Sequence, residues 1–174
     1  MPKKLLVGLL ASIAFGFLPT ATQATTVERL TLEDLTARSQ SIVQGIVRGS
    51  RTYRSPNGKL ILTNTTIEVT EAIKGQAART VEVTTIGGQI DGTILHVSGM
   101  PAFIPGESTI VFVEKTGAYL TVLGLGQGKF TVSNGEVSNS PAELIFPDGK
   151  PAHVSRLPLQ VFKGQIRSLL DRAR

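Results

Sequence analysis

The chain of 174 residues contains no cysteine and no tryptophan, and only two histidines, His96 and His153. The missing thiols exclude disulfides, thiolate metal sites, thiol catalysis and a lipid-modified cysteine behind a leader. Small secreted eukaryotic domains are usually stapled by disulfides, so a cysteine-free exported domain points to a bacterial source and to stability drawn from apolar burial. With aromatics at 5%, that core must come from Val, Ile and Leu. Two histidines without H-E-x-x-H or a comparable spacing do not make a metal site. No serine lies in a G-x-S-x-G elbow, and the segment around Ser98 is only a distant approach to one. No catalytic residue, metal ligand or cofactor is assigned from these patterns.

The N-terminus carries the strongest positive signal. Lys3 and Lys4 precede an uncharged apolar run, Leu5 to Leu18, which Pro19 breaks; Thr22 and Ala24 then stand three and one positions before a cleavage point. This is the three-part pattern of a secretory signal peptide. The run is also shorter than the roughly 20 residues a membrane-spanning helix needs. The expectation is a leader over residues 1–24, one domain over residues 25–174, an exported protein in the periplasm or outside the cell, and no transmembrane anchor after cleavage. The leader takes away Lys3 and Lys4 and no acid, so the formal charge falls from +5 to +3. That is too weakly basic for a dedicated nucleic-acid binder, and no nucleic-acid partner is expected.

Beyond the leader, Thr31 to Arg38 reads as a short helix capped by Thr31, with Glu33 and Asp34 in its first turn and Leu35 facing inward. The period then changes. Ser41 to Arg54 predicts a strand in which Gly45 and Gly49 mark bulges or bends. The turn Ser55-Pro56-Asn57-Gly58 leads to a long strand, Leu60 to Ile73, whose drier face carries Ile61, Thr63, Thr65, Ile67 and Val69. Further strands are expected at Arg79 to Ile86, Thr93 to Val97, Thr109 to Glu114, Tyr119 to Leu125 and Lys129 to Val132. Thr109 to Glu114 is apolar on both faces, the pattern of a strand covered on both sides. Ser138 to Ser155 reads as irregular. A closing amphipathic helix puts Leu159, Phe162, Ile166, Leu169 and Leu170 inward and Lys163, Arg167 and Arg172 largely outward. Many strands with helices only at the ends predict a mainly β fold: a small antiparallel OB-like β-barrel, with a β-sandwich as the alternative.

The run of motifs "LTARSQSIVQGIV", "EVTEAIKG", "VEVTTIGG", "FIPGESTIVFV" and "VLGLGQGKFTV" resembles a widespread group of uncharacterised bacterial exported proteins. The resemblance spans roughly Leu32 to Val132. The same order of elements is similar to the netrin-like OB barrel of tissue inhibitors of metalloproteinases. Those inhibitors chelate the protease zinc through a disulfide-held N-terminal cysteine. With no cysteine here, the resemblance implies the OB-like fold without that inhibitory mechanism.

Two stretches invite a functional reading. Gly124-Leu125-Gly126-Gln127-Gly128 looks like a phosphate loop, but "KFTV" follows it, a strand rather than the helix such a loop needs; it is expected to be a turn or bulge. The loop Val97 to Ile104, flanked by His96, sets Met100, Phe103 and Ile104 among Gly and Pro. Phe103 and Ile104 are expected to plug a barrel end. Exposed, the same apolar residues would mark a partner site, with His96, Met100, Phe103 and Ile104 as its candidate residues. Pro105-Gly106-Glu107 reads as the turn into the buried strand. The functional expectation is an exported non-enzymatic binding or assembly module that contacts another envelope or extracellular protein through its loops. The alternatives are a carboxylate-dependent hydrolase of envelope polymers and a protease inhibitor acting by loop insertion. Glu68, Glu71 and Glu82 are read as solvated charges on outer strand faces.

Overall fold

A computed structural model describes residues 27–76, 78–139, 144, 146–148 and 155–173. The leader expected over residues 1–24 lies outside the described residues, as do His153 and most of the stretch 140–154.

The first helix begins where its chemistry says it should. The Thr31 hydroxyl accepts from the Asp34 amide at 3.1 Å, and the Asp34 carboxylate accepts from the Thr31 amide at 2.9 Å. This reciprocal capping box satisfies two donors that a helix start leaves open. The Thr31 hydroxyl and amide together hold the Asp34 carboxyl below its usual range. Helix α1 (Leu32–Arg38) buries Leu35 and Thr36. Its far end is closed from a distance: Lys74 Nζ donates to the carbonyls of Thr36, Ala37 and Ser39 at 2.6, 3.0 and 2.6 Å. Burial pulls the Lys74 ammonium below the usual lysine range.

Strand β1 (Ser41–Arg54) pairs along its length with β2 (Ile61–Lys74), which pairs with β3 (Thr80–Ile86). The chain then makes a small hairpin, β4 (Gly88–Ile90) with β5 (Thr93–Leu95), and enters β6 (Ser108–Thr116), which pairs with β1 on one edge. On its other edge β6 pairs with both β7 (Tyr119–Val122) and β8 (Lys129–Ser133). Strands β9 (Glu136–Asn139) and β10 (Ser155–Pro158) extend the sheet beyond β8. Helix α2 (Leu159–Arg172) follows directly. The result is a mainly β fold, an eight-stranded antiparallel sheet with a short helix before it and an amphipathic one after it.

The sheet curls. Val43 and Val47 of β1, Ile67 of β2, Val81 and Val83 of β3, Val111 and Val113 of β6 and Val122 of β7 form one buried cluster. Strands β3 and β7 end up side by side, although no ladder among the described residues joins them. The opposite face of β1 and β6 presents Ile42, Ile110 and Phe112 to the helices, where they meet Leu35, Phe130, Phe162 and Ile166 in a second cluster. The rings of Phe112, Phe130 and Phe162 pack with centroids 4.6 to 6.4 Å apart. Strand β6 is thus covered on both faces, as its composition predicts.

Three expectations change. Residues from Ser138 on are not all irregular: β9 and β10 form there, since Val137 fills the helix-side core. The expected strand at Thr93 to Val97 stops at Leu95 and has a partner in β4. Lys163 is not on the solvated face of α2. Only 6% exposed, it donates to Gln44 Oε1 at 3.1 Å and to Glu71, which also accepts from Arg167 at 2.7 Å. Glu71 is correspondingly a structural partner rather than a free surface charge.

Candidate functional site

The loop from His96 to Glu107 is fastened at both ends. At its start, the Gly99 carbonyl accepts from the Gly126 amide at 2.8 Å. Gly99 has φ +80°, and a Cβ there would strike the Leu144 side chain, so only glycine serves. Gly126 belongs to a one-turn 3₁₀ helix, Leu125–Gly128, which runs straight into β8. The glycine-rich stretch is thus the turn expected of it, and it braces the loop.

At its end, the loop is stitched to β1. Gly106 N donates to the Val47 carbonyl at 2.8 Å, and Val47 N to the Glu107 carbonyl at 3.0 Å. The Glu107 side chain accepts from the Ile104 amide at 3.1 Å and pairs with Lys129 Nζ at 3.0 Å. Both charged side chains are largely covered, at 11% and 13% exposure, and Lys129 also donates to Thr131 Oγ1 at 2.8 Å. The Lys129 ammonium stands 5.6 Å from the centroid of the Phe103 ring, within range of a cation–π contact.

Beneath the loop lies a cleft of about 340 Å³. Its floor is built from hydroxyls that face inward at the same end of the sheet. The register shift between Val47 and Gly49 changes the phase of β1, so Ser50 and Thr52 sit opposite Thr65 and Thr63 of β2. Thr85 of β3 lies beside Thr63 in turn. Ser50 and Thr65 share a hydrogen bond at 2.8 Å, and Thr52 and Thr63 one at 3.1 Å. Thr63 donates its own proton to the Gly87 carbonyl at 2.7 Å, so Thr52 is the donor of the Thr52–Thr63 pair. Gly88, at φ +128°, lets the chain come close: a Cβ there would stand 2.5 Å from Thr63 Oγ1. Val97, Met100, Pro101 and Phe103 form the apolar cover, with His96 at the wall.

The sequence-predicted residues divide between the two sides of the loop. Phe103 points in: it packs on the cluster of Val47, Ile67 and Val83 and lines the cleft. Ile104 is not the plug expected of it. At 65% exposure it faces outward, because the Glu107–Lys129 pair and the Ile104 amide hold the turn with its back to β1. Met100 is half-buried and lines this cleft and a neighbouring one between β3 and β7. His96 is exposed at the rim. Sequence reasoning missed Glu107 and Lys129 as anchors and Ser50, Thr63, Thr65 and Thr85 as a floor. The available signal was two threonines on the drier face of β2. The acids singled out on β2 and β3 are engaged: Glu68 with Arg48, Glu71 with Lys163 and Arg167, and Glu82 with Asn64. Among the described residues, no cluster of three or more His, Asp or Glu could hold a metal ion, and no helix is long and apolar enough to cross a membrane. Comparison with family models, curated proteins and solved structures returned no match to the chain.

Proposed function

We propose that the protein is an exported, non-enzymatic binding module of the OB-like kind its motifs resemble, and that it contacts another envelope or extracellular protein through the His96–Ile104 loop. The observation that carries the reading is an apolar side chain displayed on a fixed support. Ile104 is exposed on a turn that is tied to β1 through main-chain hydrogen bonds and to β8 through the Glu107–Lys129 pair. Ile94, on the hairpin that feeds the loop, is 69% exposed as well. Large apolar residues held out by a rigid scaffold lose little entropy when a partner covers them, which is the arrangement of interface anchors. The leader pattern supplies the expectation of export.

The test is capture from the producing cell's envelope and secreted fractions with the wild-type protein and with Ile104→Asp as baits. The reading expects a protein retained by the wild type and lost with Ile104→Asp, while the circular dichroism of the two baits coincides. Equal retention by both baits, or no retained protein at all, would contradict it.

A further inference from the structure

The underside of the same loop has a different chemistry from its exposed tip. We infer that the cleft between the hydroxyl floor and the loop is a binding site for a neutral, hydroxyl-rich ligand with an apolar face, namely a carbohydrate ring. Ser50, Thr63, Thr65 and Thr85 supply the floor, and Met100 and Phe103 the cover.

The floor is unusual for the inside of a β fold. Valine occupies the inward positions of β3 and β6 a few residues away, at Val81, Val83, Val111 and Val113. Threonine has nearly the shape of valine, so the hydroxyls of Thr63, Thr65 and Thr85 are not needed to fill space. Thr65 and Thr85 are buried and Thr63 is half-buried, while Ser50 is exposed; burying a hydroxyl costs free energy unless it finds a partner. The network satisfies most of them and leaves a definite remainder. The protons of Thr52 and Thr63 are committed, to Thr63 and to Gly87. Among the described residues, Thr85 reaches only the Thr63 carbonyl, at a long 3.4 Å. Ser50 and Thr65 share one hydrogen bond between two hydroxyls, so one of their two protons is left over, and so are lone pairs on both oxygens. A ligand group here must therefore both donate and accept, as an alcohol does.

The rest of the lining narrows the class. Among the described residues that line the cleft there is no Lys, Arg, Asp or Glu, so a charged ligand would be desolvated there without a counter-charge from them. The cover of Met100, Pro101 and Phe103 offers carbon and one aromatic ring to whatever rests on the floor. A pyranose presents hydroxyls around its edge and C–H groups on its face, which matches a polar floor under an apolar cover. At about 340 Å³ the cleft is at the small end of the roughly 300–1,000 Å³ range of ligand pockets, a size for one or two rings. This site uses the inner side of the loop, whereas the protein-binding reading rests on Ile104 at its tip, so either can fail alone.

The experiment is a titration of the ¹⁵N-labelled protein, as its cell processes it, followed by amide NMR. The ligands are N-acetylglucosamine, its β1,4-linked dimer, cellobiose and maltose, with glucosamine and glucuronic acid as charged counterparts. The mono- and disaccharide arms separate a free sugar from the end of a polymer. The expected result is saturable shifts at Ser50, Thr65, Thr85 and Met100 with at least one neutral sugar, and weaker binding of the charged forms. Thr65→Val keeps the side-chain shape and should weaken that sugar roughly tenfold, as loss of a hydrogen bond on this scale predicts. Met100→Ala, at a half-buried loop position that leaves the core intact, should weaken it as well. Absence of shifts with every neutral sugar, equal binding of the charged forms, or unchanged affinity in both variants would overturn the inference.

Discussion

Glu71 sits where a strand and a helix meet, and two cations converge on it, Lys163 and Arg167. Burial acts to raise its carboxyl, but the hydrogen bond and charge of Lys163, then those of Arg167, more than reverse this and hold it below the usual glutamate range. A carboxyl depressed in the folded state contributes stability that is complete above its ordinary value and is lost as pH falls through the folded one. Glu71→Gln leaves the buried Lys163 ammonium without its counter-charge. It should cost about 1–3 kcal/mol at neutral pH, less than a fully buried pair because Glu71 is partly exposed. Urea unfolding checks both parts: the gap between wild type and variant should narrow as pH falls below about 4.5. The sequence alone puts Lys163 on the outer face of α2. Its position among apolar neighbours at helical spacing reads equally well as the rim of a solvated face, and only the strand beneath it decides.

At the scale of elements, β1 governs the site. The sequence marks Gly45 and Gly49 alike as places where the strand bends, and register shifts do occur beside both. They do different work. A Cβ at Gly45 would run into the Glu68 carbonyl and the Ile67 side chain, whereas one at Gly49 would meet open space. Gly45→Ala should therefore destabilise by about 2 kcal/mol or more, and Gly49→Ala by less than about 0.5 kcal/mol; thermal or urea unfolding of the pair separates them. Alternation along β2 made Thr63 and Thr65 legible as inward residues. That Ser50 and Thr52 join them was not legible, because one unpaired residue in β1 inverts the strand's phase and no composition signal fixes where it falls. The loop anchor behaves likewise. Glu107 and Lys129 lie 22 residues apart on segments brought together by β6 and β8. Lys129→Met should loosen the loop, seen as faster amide hydrogen exchange at Ile104 and Gly106, whose amides donate to Glu107 and Val47.

At the scale of the molecule, the fold was largely legible: capping at Thr31, the long paired strands, the doubly covered β6 and the closing helix all follow from period and turn chemistry. Curvature was expected from the interior glycines of β1, but which interior side chains meet across β3 and β7 was not legible, since that depends on where the strand bends fall. That curl sorts the interior into a valine-rich part and a hydroxyl-lined part, and the loop crosses the second. Its two sides then carry different surfaces, Phe103 and Met100 within and Ile104 without. On the proposed function, the outward side meets a protein. Site-specific photocrosslinking tests it most directly, with a photoreactive phenylalanine analogue in place of Ile104 and, as a control, in place of the exposed Val161 on α2. In the producing cell, a discrete protein adduct at position 104 that is absent at position 161 is the predicted result. No adduct at position 104, or the same adducts from both positions, would contradict it.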